Sequence, residues 1–213
     1  MKTYEYLLFD WDGCLADTLS VWLRVFKKVY AQYGVHPTDQ EITRQFGDWE
    51  APKYFGIKDV DGCMKQVEAE VAKGLKQVRL FDGVKEMLEE LATTKRLALI
   101  STSKRDMLET GLKYNGIAHC FTTVIGADDV RHHKPHPESL EKALKALGGT
   151  KDAAIMIGDS RKDLGAAENA GIDSALIHTP AHESFYALDE LRKYNPTHIA
   201  RNYIELQQIL VGE

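Results

Sequence analysis

Short, almost unbroken apolar runs recur along the chain and close on small or polar residues: "YEYLLFD", "RLALIS", "FTTVIGA", "AAIMIGD" and "SALIHT". So few residues with no polar alternation suit strands buried on both faces, as in a parallel sheet. Helical spacing fills the intervals. "GVKEMLEELA" sets Val84, Met87, Leu88 and Leu91 on one side, and "PESLEKALKALGG" offers Pro137 as a helix start and glycines as its stop. "KDLGAAENAG" and "HESFYALDELRKY" continue the alternation. Strand and helix taking turns predicts an open, doubly wound α/β sheet, whose ligands sit beyond the carboxyl ends of its strands.

The alternation breaks between Thr18 and Arg79, where helical patterns stand without a convincing strand. "LSVWLRVFKKVYAQYG" is amphipathic through Val21, Val25, Val29 and its aromatics. "TDQE" at Thr38–Glu41 has the form of a capping box, and "DVDGCMKQVEAEVAKGLKQV" reads as one long, mostly polar helix. The expected organisation is a sheet unit of residues 1–17 and 80–213, with an all-helical insert over 18–79. Hinges are expected near Asp17–Thr18 and Arg79–Asp82, where the chain passes between them.

At 213 residues the chain is long enough for a packed interior. A net charge of −5 and no stripe of lysine or arginine argue against a nucleic-acid partner, though not against small anions. Cys14, Cys63 and Cys120 are far apart, which fits free thiols in a reducing compartment better than a disulfide frame or zinc site. No stretch approaches the roughly 20 apolar residues of a membrane span, and "MKTYEYLLFD" has too short an apolar run for a secretion signal. A cytoplasmic protein is expected, of undetermined oligomeric state.

Acids crowd the end of the first run, in "LFDWDGCLADT". Residues two apart on an extended strand point the same way, so Asp10 and Asp12 share a face, and Gly13 lets the chain turn sharply. Two like charges so close repel, and a divalent cation relieves them while orienting a phosphoryl group. Three further strand ends carry matching chemistry. Ser101, Thr102 and Ser103 in "ALISTSK" offer hydroxyls and backbone N–H groups suited to phosphate oxygens. Lys134 in "HHKPHPESL" precedes a proline that stiffens its loop. In "IMIGDSRKDLGAAENAG", Asp159 supplies oxygen ligands for a hard cation and Asp163 follows a helical turn later. Singly, these have plain readings as a turn, helix caps and a solvated lysine. Their joint occurrence at sheet ends points to phosphoryl chemistry.

That order of motifs resembles the haloacid dehalogenase superfamily over essentially the full chain. "DWDGCLADT" is similar to its first motif, D-x-D-G-x-L-x-D-T; Ser101, Lys134 and "GDSRKD" match the later three. Cys14 stands where phosphatases often have Thr, and Thr102 where relatives frequently have Asn. The resemblance implies a Rossmann-like core with residues 18–79 as a helical cap. It implies Asp10 as nucleophile, forming an aspartyl-phosphate, and Asp12 as proton donor to the leaving group and then base for water. Asp10, the Asp12 carbonyl and Asp159 would ligate Mg²⁺, with Asp163 orienting that shell. Ser101, Thr102 and Lys134 would hold the phosphoryl oxygens. Cys14 reads as a packed residue in no setting that would activate it.

Asp12 tells against the dehalogenase branch, and also against phosphonate hydrolysis, for which Lys27, Lys28 or Lys53 would have to form a Schiff base. The favoured reading is an Mg²⁺-dependent phosphatase acting on a small phosphomonoester such as 2-phosphoglycolate. Pyrophosphatase and β-phosphoglucomutase-type phosphotransfer remain as alternatives on the same core. Receiver-type signalling modules also join acids, a hydroxyl and a lysine, but the insert and "GDSRKD" favour an enzyme. In the cap, "ITRQFGDWEAPKYFGI" mixes Arg44, Trp49 and Lys53, which are expected to select the substrate. The competing reading has Trp49 and Phe46 packing the cap and Arg44 in solvent. His132, His133 and His136 are expected at the surface, without a metal.

Overall fold

The computed structural model describes residues 2–74 and 78–212. Its sheet has six parallel strands: β1 (Tyr6–Phe9), β2 (Arg96–Ile100), β3 (Phe121–Ile125), β4 (Ala154–Gly158), β5 (Asp173–Ile177) and β6 (His198–Ala200), in the order β3-β2-β1-β4-β5-β6. Strand alternation splits the apolar runs between two cores. Leu7, Phe9, Leu97, Leu99, Ile155 and Ile157 face α5 (Val84–Leu91), α6 (Arg105–Tyr114) and α10 (Tyr203–Val211). Leu8, Ala98, Ile100 and Met156 face α7 (Glu138–Leu147) and α8 (Arg161–Ala170). Burial on both faces accounts for the missing polar alternation. The fold is the doubly wound, Rossmann-like α/β fold expected from the strand-and-helix pattern.

Two stretches differ from expectation. β6 is a three-residue strand at the sheet's edge, too short to carry a periodic signal. "HESFYALDELRKY" yields only the short α9 (Leu188–Arg192), because the chain first turns over 183–185, with Phe185 N and Tyr186 N donating to His182 O at 2.9 Å, and the Tyr186 carbonyl is taken by His178 Nε2 at 2.9 Å.

Between β1 and α5 lie α1 (Leu19–Gln32), α2 (Asp39–Thr43), α3 (Ala51–Tyr54) and α4 (Val60–Gly74). The capping box forms at Thr38 and Glu41, starting α2. The expected continuation of the long helix over 75–77 lies outside the described residues. These helices have their own core, in which Val25, Phe26, Val29 and Tyr30 meet Ile42, Cys63, Met64, Val67 and Val71. The two connections to the sheet run side by side, with Asp17 N donating to Arg79 O at 2.9 Å and Phe81 N to Leu15 O at 3.1 Å. Among the described residues, no helix is long and apolar enough to cross a membrane.

Candidate active site

Strands β1 and β4 are neighbours, and the winding reverses between them. Asp10 and Asp159 follow their carboxyl ends, so the sheet's topology places two acids at the crevice where such folds bind ligands. The chain turns after Asp12 through Gly13 at φ +84°, and a Cβ there would stand 2.4 Å from Asp159 Oδ2. No side chain fits that approach.

Lys134, on the loop before α7, is buried and drives its ammonium between the acids. It donates to Asp10 Oδ1 at 2.7 Å, Asp163 Oδ1 at 2.5 Å and the Ile100 carbonyl at 3.2 Å. Burial alone would discharge this lysine, but Asp10 and Asp163 overcome that and raise its pKa. Asp163 also caps α8, accepting from Ser160 N and Oγ. Burial lifts Asp10 upward, against the pull of Lys134. Asp159 is driven well up, first by burial and then by Asp163 and Asp10. Both of its carboxylate oxygens are buried without a hydrogen-bond donor among the described residues. Ligand oxygens of Asp10, Asp159 and Asp163 lie within 4.8 Å of one another. A buried acid with no donor, among further acids, has the chemistry of a hard-cation site, so the residues present fit Mg²⁺.

Asp12 differs from its neighbours in being fully satisfied. Its Oδ1 accepts from Thr18 Oγ1 and Trp22 Nε1, each at 2.8 Å, and its Oδ2 from Ser103 Oγ at 2.7 Å and Ser101 Oγ at 3.4 Å. Two donors thus come from the entry to α1 and two from the loop after β2. Sequence reasoning missed Trp22. Its only signal was an indole one helical turn beyond the N-terminal cap of α1, facing back toward the acids.

A cavity of about 70 Å³ lies over these groups, with Asp10, Asp12, Thr102, Lys134 and Asp159 in its floor. Its roof is apolar: Leu19, Trp22, Phe26, Phe46, Trp49 and Met64. Trp49 therefore joins the core residues, as does Thr102, while Ser101 is reached through Asp12 and Ser103 N. Arg44 and Lys53 do not join them. Arg44 is exposed and lines an adjacent cleft, and Lys53 is exposed on α3, paired with Glu50. Sequence reasoning also passed over Lys162 and Tyr186, both of which line the cavity. Lys162 lies inside the quoted "GDSRKD", where nothing in the sequence singles it out from its neighbours. Burial lowers its pKa to about 8. Cys14 is inert: burial, then Asp10 and Asp159, hold its thiol well above the usual range. His132 and His136 converge with Glu138 at the surface, but Glu138 is already engaged by backbone N–H groups of Arg131 and His132 and by Lys142.

Comparison with known proteins supports a common ancestry for this arrangement. The family described as haloacid dehalogenase-like hydrolase matches residues 7–177. Pyrophosphatase PpaX of Halalkalibacterium halodurans is 31% identical, over 96% of this chain and 95% of its own. A Lactobacillus plantarum structure, assigned provisionally as a phosphoglycolate phosphatase, superposes with a TM-score of 0.85 at 25% identity, covering 97% of this chain and 99% of that one. A haloacid dehalogenase-like family protein of Streptococcus pneumoniae superposes at 0.82 with 25% identity, covering 98% and 99%. With its motifs at the strand ends and the match spanning most of its length, the chain belongs to the haloacid dehalogenase-like hydrolase family.

Proposed function

We propose that the protein is a divalent-cation-dependent phosphatase that hydrolyses a small phosphomonoester, of the size of 2-phosphoglycolate, through a phosphorylated Asp10. The observation that carries this reading is Asp159, buried beside Asp10 with neither oxygen bonded. Asp10, Asp159 and the Asp12 carbonyl would hold Mg²⁺, which when bound neutralises the acids and the incoming phosphoryl group. Asp163 keeps its place through Lys134 and Ser160, fixing the shell from behind.

The chain's own residues do the rest. An Asp10 carboxylate oxygen attacks phosphorus; the oxygen–phosphorus bond forms as the bond to the leaving oxygen breaks. Asp12 supplies the proton that leaves with that oxygen. It then accepts one from a water whose oxygen attacks the same phosphorus, freeing Asp10 and inorganic phosphate. Lys134, Ser101 and Thr102 offset charge on the phosphoryl oxygens. A cavity of about 70 Å³ supports a small leaving group, against roughly 300–1,000 Å³ for sites that take drug-sized ligands.

Pyrophosphate is the second reading, favoured by the Halalkalibacterium relative named a pyrophosphatase. Phosphate release from 2-phosphoglycolate, pyrophosphate and glucose 1-phosphate, with Mg²⁺ and after chelation, separates these readings. Multiple turnovers on the first substrate support the monoesterase. A preference for the second substrate moves the assignment to the anhydride. A sugar phosphate isomerised without phosphate release would replace hydrolysis by mutase chemistry. Stoichiometric phosphorylation without turnover would leave a phospho-accepting module, and full activity after exhaustive chelation would exclude the cation.

A further inference from the structure

We propose that Lys162 and Trp49 form the subsite for a second anionic group on the substrate, a carboxylate or second phosphoryl group. The inference rests on the phosphatase reading for which group occupies the floor. Lys162 stands at the second position of α8, beside Asp163. Its neighbour Arg161 turns outward, donating to the Arg44 carbonyl at 2.5 Å. Lys162 turns inward and lines the cavity with Asp10, Asp12 and Lys134.

The two lysines of this cavity are in opposite states. Lys134 has an acceptor for each ammonium proton. Lys162 has neither a hydrogen bond nor an ion pair among the described residues, although it is half-buried. The Trp49 indole N–H, in the same cavity, is likewise buried without a partner. Unpaired donors are costly to bury, a charged one most of all, and they persist where a ligand completes them.

The surroundings narrow the ligand. Leu19, Trp22, Phe26, Phe46 and Met64 offer no acceptor to either group. Gly47 brings the cap's backbone onto the lysine: a Cβ there would lie 3.5 Å from Lys162 Cδ and 3.2 Å from Thr102 Oγ1. Lys162 thus lies under the cap's backbone where this cavity meets a neighbouring cleft, placed to receive an anionic extension of the phosphoryl group. Asp48 is the acid nearest in kind to a competitor. Its Oδ1 accepts from Glu50 N at 2.9 Å, and its charge partly offsets the effect of burial on Lys162 without forming an ion pair with it.

Calorimetric titration in Mg²⁺ buffer with non-hydrolysable probes tests the subsite. Methylphosphonate presents one anionic group, methylenediphosphonate a second phosphoryl group and phosphonoacetate a carboxylate. Wild type is expected to prefer one two-headed probe to methylphosphonate, and which one identifies the second group. Lys162→Met should weaken that probe by about 10- to 100-fold and methylphosphonate far less, as expected for a lost hydrogen bond to a charged group. Lys162→Arg should retain most of the preference, and Trp49→Phe should lose about threefold. Asp48→Asn should preserve or increase it. Equal weakening of all three probes in folded Lys162→Met overturns the subsite. So does an Asp48→Asn loss matching that of Lys162→Met, which would make the lysine a latch between cap and core. Preference for a two-headed probe without phosphate release from any substrate sinks the phosphatase reading and leaves the subsite standing. Turnover with an undiminished preference in Lys162→Met sinks the subsite alone.

Discussion

The floor of the cavity and its roof are built on opposite plans. In the floor, Lys134, Asp12 and Asp163 are saturated with partners, while Asp159 has neither oxygen bonded among the described residues and Asp10 has only Oδ1 engaged. In the roof, aromatic and aliphatic side chains surround an indole N–H that nothing accepts. The floor hangs on the ends of β1, β2 and β4, where backbone pairing in the sheet determines where each residue points. The roof hangs on α1, α4 and the loops around α3, which pack against one another in a separate core. The reacting groups are thus placed by the sheet and the selecting ones by a separate helical core, which is why fold comparison reaches the reaction class before it reaches the substrate.

Breaking the floor should have the largest effect. Asp10→Asn keeps the shape but cannot attack phosphorus, and turnover should fall by about 10⁴-fold or more. The fold should persist, since Lys134 keeps Asp163 and the Ile100 carbonyl. A well-folded variant with near-normal phosphate release would end the nucleophile assignment.

Asp159→Ala separates cation binding from stability. Activity should need at least about 10- to 100-fold more Mg²⁺. Thermal melting supplies a readout free of catalysis. Mg²⁺ binds the native state and should raise the wild-type melting temperature, and that gain should vanish in the variant. Burial raises the folded pKa of Asp159, so ionising it opposes folding as pH rises above its ordinary carboxylate range. The metal-free variant should accordingly melt no lower than metal-free wild type at neutral pH. A lower melting point would show Asp159 to be a structural anchor.

Trp22→Phe probes the seam between the two plans. It removes the donor that α1 sends to Asp12 and keeps the ring against Phe26. Asp12 retains Thr18, Ser101 and Ser103. The expected loss is about 10-fold in kcat with KM little changed, the scale of one hydrogen bond to a carboxylate. A change in KM alone would place Trp22 in the selective roof instead.

Legibility follows the same division. Leu7, Leu8 and Phe9 announce a strand buried on both faces, and a strand's end predicts where the next acid will point. Asp10, Asp12, Ser101, Thr102, Asp159 and Asp163 were readable because each sits within a few residues of such an end, and Lys134 because a proline follows it on the loop before α7. Trp22, Lys162 and Tyr186 were not. Trp22 and Lys162 look like ordinary helix residues, and only the placement of the helical insert over the sheet's carboxyl end brings them into one cavity. Tyr186 lies in a stretch of helical spacing that forms a turn closed on His182 O before α9 begins. The "ITRQFGDWEAPKYFGI" stretch shows both outcomes. Composition marked it for selection, and the tertiary fold turns Trp49 inward while leaving Arg44 and Lys53 outside.

Arg44→Ala is the smallest expected effect, and it sharpens the boundary of the roof. The Arg44 side chain is exposed beside the adjacent cleft, which shares Phe46, Ser160, Lys162 and Tyr186 with the cavity. Its tie to the sheet unit is the backbone carbonyl that accepts from Arg161, and alanine preserves that carbonyl. An exposed side chain with no buried partner typically changes stability by no more than about 0.5 kcal/mol on removal. By the same reasoning kcat/KM should stay within about twofold of wild type on 2-phosphoglycolate, pyrophosphate and para-nitrophenyl phosphate. A selective rise in KM for the two-headed substrates would mean that the cleft, and not the cavity over the acids, receives their second anion. Arg44 would then have to swing inward as the cap moves, and Lys162 would lose its role. Measuring all three substrates on Arg44→Ala and Lys162→Met together decides between the two cations, because each assignment predicts a selective loss in one variant and near-silence in the other.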